Sequence, residues 1–377
     1  MQSVLILSFS GLAADPRVSR QISLLAGHYR VTSAGFGGSP HAGIEHLQLV
    51  PRHRTPIRRV LATAYLKLGS HERFYWSSPT IQEAMEVLGA RHFDVTLAND
   101  LTALPLACRL KSRCGVIFDA HEYSPRELED RFFWRFLFAS YNDYLCRKYL
   151  PTASAVTTVC HSIANEYRSN YGVTPEVVYS APAYEDLLPK KTDSTSIRLV
   201  HHGGAIPSRK LELMVDAMSY VDDRFHLDLM LVPGDTAYLA RISNLAHDHP
   251  RVRVVPPVPM LDLPRHLNQY DIGVFLLPPT NFNYRYALPN KFFEFVQARL
   301  AVAIGPSPEM AQLVQQYSCG IVAKDFTPHT FADRLNALTT DELDRLKQGA
   351  HVAAKELCFE TSAPVLLGIV EHVLGNA

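Results

Sequence analysis

The chain has little cysteine and no arrangement of it that binds metal. Six cysteines, Cys108, Cys114, Cys146, Cys160, Cys319 and Cys358, are scattered over 377 residues with no C-x-x-C pair. That spacing argues against a zinc ribbon or a disulfide framework and points to a reducing cytoplasm. Excess charge of either sign is also missing: 37 Lys plus Arg stand against 37 Asp plus Glu. A dedicated duplex-DNA binder is not expected on that balance, and no nucleic-acid partner is expected. No run of 18 or more apolar residues occurs, so no membrane-spanning helix is expected from the sequence. The first ten residues, Met1-Gln-Ser-Val-Leu-Ile-Leu-Ser-Phe-Ser, carry no Lys or Arg before their apolar run and read as a buried strand rather than a secretion signal. Nor is there a G-x-G-x-x-G turn after a strand, which argues against a dinucleotide-dependent oxidoreductase.

What is present is abundant apolar sequence, 47% of residues, with 20% charged. This suits large buried cores, and the length suits two to three domains. Short β-prone runs alternate with helical patterns: Val4–Phe9, Tyr29–Ala34, Val95–Ala98, Gly115–Asp119 and Ala155–Val159 in the first half. The linker-like stretch 182–196 follows, and then Ile197–His201, Leu227–Val232, Val252–Val255, Ile272–Leu277 and Ala301–Ile304 in the second. Such alternation predicts α/β architecture with parallel sheets. We place an N-terminal Rossmann-like domain at 1–183, a C-terminal one at 184–360, and a last helix at 361–377 that crosses back to the first. Ligands of such domains bind beyond the carboxyl ends of the strands, in the cleft between them.

Three segments carry chemistry. In Leu288-Pro-Asn-Lys-Phe-Phe-Glu-Phe, Asn290 suits a helix cap and Glu294 falls one turn in. A helix start attracts phosphate, and a carboxylate beside it accepts from a ribose diol. In His201-His-Gly-Gly-Ala-Ile-Pro-Ser-Arg-Lys, glycines admit a ligand close to the backbone, while Arg209 and Lys210 precede a helix, where an anion would neutralise them. In Ile117-Phe-Asp-Ala-His-Glu-Tyr, Asp119, His121 and Glu122 end a strand, and Asn99-Asp100 ends its neighbour. One His and two acids so close on a strand end do not face one way, so a metal is not expected.

Together with Ala14-Asp-Pro-Arg-Val-Ser-Arg, these segments make the chain resemble the retaining glycosyltransferases of the GT-B fold, family four, whose two Rossmann-like domains face each other across a cleft. The resemblance implies a nucleotide-sugar donor of UDP or GDP type, a saccharide or lipid-linked saccharide acceptor, no metal or other cofactor, and a place in glycan or polysaccharide biosynthesis. It implies that Glu294 holds the donor ribose and that the backbone at Asn290 and Lys291 faces the distal phosphate. Arg209 then neutralises the diphosphate beside Gly203 and Gly204, with help from Lys210 or Lys291. Gly11 borders donor and acceptor, Val255 passes the nucleobase, and His121 lies near the donor sugar, with Asp100, Asp119 and Glu122 on the acceptor side. Two positions depart from the family's pattern: Tyr286 stands where a first acid is usual, and Gly204 where a second base is usual. A non-hydrolysing nucleotide-sugar epimerase, or a protein that keeps the fold and binds without turnover, are the alternatives.

Residues 52–73 carry a further pattern. Thr55 and Pro56 open a helix with Ile57, Val60, Leu61, Ala64 and Leu68 on one stripe and Arg58, Arg59 and Lys67 off it. Two readings fit: a packing helix with a solvated basic face, which the sequence favours slightly, or a helix lying on anionic lipid at the inner face of the cell membrane. The aromatic run Arg131-Phe-Phe-Trp-Arg-Phe-Leu-Phe reads mostly as core, with Trp134 or a neighbour a candidate for an acceptor or lipid surface.

Overall fold

Alternating strands and helices assemble two parallel sheets in the computed structural model, which describes residues 1–39 and 41–375. The first sheet holds β1 (Ser3–Gly11), β2 (Arg30–Phe36), β3 (Glu45–Leu49), β4 (Val95–Asn99), β5 (Gly115–Ala120), β6 (Ala155–Thr158) and β7 (Glu176–Val177). Its order is 3-2-1-4-5-6-7. The second holds β8 (Ile197–Gly204), β9 (Phe225–Val232), β10 (Val252–Val255), β11 (Ile272–Phe275), β12 (Ala301–Ile304) and β13 (Gly320–Val322), in the order 10-9-8-11-12-13. In each sheet the order reverses beside the opening strand, between β1 and β4 and between β8 and β11. Such reversals open a crevice at the strands' carboxyl ends, where ligands of α/β sheets bind.

The chain divides into two compact units. One comprises Met1–Tyr179, Asn281–Asn283 and Ala363–Ala377; the other comprises Ser180–Thr280 and Tyr284–Ser362. The division falls a few residues before the 183/184 boundary read from the sequence. The short excursion Asn281–Asn283 has no sequence signal; in it Asn283 Oδ1 accepts a bond of 2.8 Å from the Tyr123 amide. In the first unit the strands' apolar residues Val4, Ile6, Val95, Leu97 and Ile117 pack with Val18, Ile22 and Leu25 of the Pro16–Ala26 helix. Leu366, Val370, Val373 and Leu374 of the Phe359–Gly375 helix complete that core. Thr340–Gly375 is long and apolar enough to cross a membrane by length and composition alone, which the sequence did not lead one to expect. It is two helices, and 44% of its most apolar window is buried in the protein.

In the second unit the Asn290–Gln297 helix presses Phe292, Phe293, Phe295 and Val296 into the interior. A Cβ at Gly273 of β11 would fall 2.2 Å from the Phe295 ring, so only glycine lets this helix approach the sheet so closely. That approach fixes Lys291 and Glu294 beside the end of β8.

Two helix expectations change. Pro289 holds the cap position and Asn290 is the first helical residue, with no side-chain cap. The Pro56–Lys67 helix forms, with Thr55 Oγ1 accepting from the Arg58 amide at 3.5 Å. It meets the unit through Ala62 and Leu66, while Ile57, Val60, Leu61 and Leu68 face solvent. The favoured packing stripe is therefore not the packed face. Small Ala62 lets the helix sit close on its other side. Phe132, Phe133 and Phe136, read as core, are also exposed.

Candidate functional sites at the strand ends

The first unit's site is built on one buried carboxylate. Asp15 caps the Pro16–Ala26 helix through a 3.2 Å bond from the Val18 amide, with Pro16 in the first position. That start aims Arg17, and Gln21 one turn later, at the end of β5. Arg17 grips Asp119 with two parallel bonds, Nε to Oδ2 at 2.7 Å and Nη2 to Oδ1 at 2.6 Å, and its Nη1 donates to the Val178 carbonyl at 2.7 Å. Gln21 Nε2 adds 2.6 Å to Oδ2, and Thr157 Oγ1 adds 2.5 Å to Oδ1. Burial alone would raise the Asp119 pKa, but Arg17 and His121 outweigh it and hold the carboxyl well below its ordinary value.

His121 Nε2 lies 3.2 Å from both Asp119 Oδ2 and Asn99 Oδ1, and its Nδ1 lies 3.3 Å from Asp100 Oδ2. Burial opposes a charge on this ring, yet the Asp100 and Asp119 carboxylates prevail and raise it to about 9. The ring is therefore an imidazolium at neutral pH, with both N–H groups committed to acceptors. His121, Asp100 and Glu122 line a cavity of about 700 Å³, together with Glu127 and aromatic walls that include Phe74, Trp134, Phe138 and Tyr141. Asp119 has no surface in it and anchors His121 from behind. Gly11 is exposed and lies outside that lining.

The second unit's site surrounds the end of β8. Gly203 has φ +114, a conformation side chains resist, and a Cβ there would sit 3.3 Å from Lys291 Nζ and 3.7 Å from Arg209 Nη1. Two cationic tips thus converge on one bare stretch of backbone. Arg209 Nη1 also donates to the Gly204 carbonyl at 3.3 Å. Lys291 Nζ bonds His201 Nε2 at 3.2 Å and lies 4.4 Å above the Phe275 ring. Because His201 Nδ1 faces the Val274 carbonyl at 2.9 Å, it carries the proton and Nε2 accepts from the lysine. Burial, then Lys291, keeps His201 well below its ordinary pKa. Burial, then the charge of Arg209, likewise pushes the Lys291 ammonium well below its own, with Glu294 opposing. His202 Nε2 approaches Glu294 Oε2 at 3.3 Å without hydrogen-bond geometry.

Gly203, Arg209, Asn290, Lys291 and Glu294 line one cavity of about 480 Å³ with His202 and an apolar wall of Met230, Val232, Pro257, Val258, Met260 and Leu263. Five of the donor-binding residues read from the sequence therefore meet at one place. Lys210, Gly204 and Val255 lie outside the lining; Lys210 takes a left-handed turn at φ 52, and the wall beyond β10 is made by Pro257 and Val258. Arg209 closes a 3₁₀ turn rather than opening a helix, which begins at Glu212. Tyr286 is not in the lining, and the Arg285 guanidinium lies 5.4 Å over its ring. Sequence reasoning gave no role to Gln21, nor to Arg17 and His201 although both stand in the quoted segments. A signal for Arg17 and Gln21 is their i, i+4 spacing among Val18, Ile22 and Leu25, two polar residues on the inward half of a helix. Among the described residues no three His, Cys, Asp or Glu side chains group as metal ligands.

Residues 25–182 match the model of Glycosyltransferase Family 4. No curated protein matches the sequence. Similar folds recur among solved structures. Sucrose-phosphate synthase from Thermosynechococcus elongatus is 12% identical with a TM-score of 0.74, each chain covered over 100%. HepE of Anabaena, solved with UDP-glucose, is 14% identical at TM-score 0.70, with 99% of each chain covered. WaaG, a glycosyltransferase involved in lipopolysaccharide biosynthesis, is 11% identical at TM-score 0.62, covering 96% of this chain and 99% of its own. At these identities the likeness is one of fold. The chain thus has the fold of the GT-B glycosyltransferases, with a Glycosyltransferase Family 4 segment at residues 25–182.

Proposed function

We propose that the protein is a glycosyltransferase. Its second unit would bind a nucleoside-diphosphate sugar, and the sugar would pass to a hydroxyl of a saccharide or lipid-linked saccharide, with retention and without a metal, in glycan assembly. One observation carries this: Arg209 and Lys291 converge at Gly203 in the cavity that also holds Glu294 and the start of the Asn290–Gln297 helix. Two cations and a helix start suit a diphosphate. Glu294 suits the ribose diol, and the Met230, Pro257 and Val258 wall suits a flat base. The second base missing at Gly204 is supplied from the helix by Lys291.

In the reaction the bond from the anomeric carbon to the diphosphate oxygen breaks, and the charge growing on that oxygen meets Arg209 and Lys291, already in place. The acceptor oxygen attacks the face the diphosphate leaves, and its proton passes to the departing phosphate. His121, whose two N–H groups already have acceptors, would supply positive charge to its cavity rather than abstract a proton. Neighbouring structures hold UDP and UDP-glucose, which makes UDP the first nucleotide to try. At about 100 times its dissociation constant, UDP should stabilise the fold by roughly 2.7 kcal/mol. Absence of a thermal shift with UDP, GDP, ADP and dTDP would refute the donor site. Donor turnover without any acceptor would favour the epimerase reading.

A further inference from the structure

Two helices of the first unit leave large apolar side chains in water. On the Pro56–Lys67 helix and the residue after it, Ile57 and Leu68 are 83% and 78% exposed, and Val60 is similar. At the start of the Phe132–Tyr149 helix, Phe133 is 78% exposed beside exposed Phe132 and Phe136. These rings meet one another, Phe132 stacked on Phe136 at 6.5 Å and edge to face with Phe133 at 5.7 Å. The two helices touch within the unit. Apolar surface gathered in this way marks a contact face.

The fringe of that face says what covers it. From Arg52 to Arg73 there are six Arg or Lys and one Glu, in a chain whose total formal charge is zero. Arg58, Arg59 and Lys67 are exposed on the first helix, and Arg131 and Arg135 flank the phenylalanines, with Glu127 and Asp130 the exposed acids before them, so the positive charge is concentrated on the first helix. A second copy of the chain would set cation against cation. A bilayer with anionic headgroups offers the opposite charge outside and hydrocarbon within. We propose that these two helices dock the first unit on an anionic membrane surface, with Ile57, Val60, Leu68 and the three phenylalanines entering the headgroup boundary. Arg54, just before the first helix, and Trp134 and Phe138 on the second also line the 700 Å³ cavity, so the membrane face and the cavity share the same segments. That the face brings a lipid-linked acceptor to this cavity rests on the glycosyltransferase reading; the docking does not.

The test is flotation of the full chain with vesicles of phosphatidylcholine alone or with phosphatidylglycerol added. Binding should be at least about tenfold stronger to the anionic vesicles and should weaken in high salt. The pair Arg58→Glu and Arg59→Glu should abolish the preference for anionic lipid. The pair Phe133→Ser and Phe136→Ser should weaken binding to anionic vesicles about tenfold. Stabilisation by UDP should stay as in the unaltered chain, which separates failure here from failure of the donor site. Equal binding to both vesicles, or none, overturns the proposal, as does self-association by sedimentation with no vesicle binding.

Discussion

Lys291 sits where its charge is costly until an anion arrives. Its ammonium is held below the ordinary 10.5 by burial and by Arg209, and the negative charge of a diphosphate beside it would offset both. At pH values above the lowered pKa the free protein holds the amine partly neutral, and binding draws a proton onto it. UDP binding should therefore take up protons, and affinity should fall as pH rises through the free-state pKa. Calorimetry in buffers of different ionisation enthalpy measures the uptake. Lys291→Met should remove it and weaken UDP by about ten- to a hundredfold, as loss of a charged hydrogen bond of roughly 1.5–3 kcal/mol requires. An unchanged proton count in the variant would show that the lysine stays charged throughout. His121 shows the opposite sign. Its pKa is raised to about 9, so its charge contributes stability that is full below the ordinary 6.5 and is lost as pH rises through 9. The whole contribution is about 3 kcal/mol by linkage. Unfolding midpoints from pH 6 to 10 should decline with this slope, and His121→Gln should flatten it. Of these residues His121 was legible as a polar group ending an apolar run, Glu294 as a carboxylate one turn into a helix, and Arg209 as a base following the Gly203-Gly204 turn. His201 was not, because nothing in a sequence distinguishes a histidine that accepts from a lysine 90 positions away.

Each site is set by one short helix locked to one strand. The Pro16–Ala26 helix delivers Arg17 and Gln21 to Asp119, and the pairing ties it to β5 across 102 residues of chain. Asp119→Asn keeps the shape but leaves the Arg17 guanidinium buried beside a neutral amide. Removing one partner of such a pair costs about 3–5 kcal/mol. Urea unfolding should show that loss, and the His121 pKa should drop with it, seen as an earlier fall in stability with pH. Periodicity announced most of these elements. It failed at the Pro56–Lys67 helix because an amphipathic stripe says that one face will be covered without saying by what. The body took the face of Ala62 and Leu66 and left the larger side chains outside.

At the level of the whole chain, two parallel sheets were legible from the strand–helix rhythm, since crossover connections leave no other economical pairing. The crevice positions followed, because both reversals of strand order fall beside a strand that opens its half. Five of the side chains and backbone positions that meet beside β8 were legible, but the apolar wall of Met230, Pro257 and Val258 and the close approach of Gly273 to Phe295 that sets the helix in place were not. The placement of Leu366, Val370, Val373 and Leu374 in the first unit's core has its own outcome. A chain ending at Ser362 should keep a cooperative second unit and unfold its first in less urea. Two separated transitions, in place of the intact protein's profile, would register it.

Because those four side chains come from the far end of the polypeptide, order of synthesis and order of completion are reversed. A ribosome emitting this protein releases the amino-terminal half early but with a gap in its interior. The carboxyl-terminal half can mature before the tail arrives to seal the other. During that interval Val4, Ile6 and Val18 wait partly uncovered, so nascent chains stalled short of the tail are the ones expected to engage chaperones.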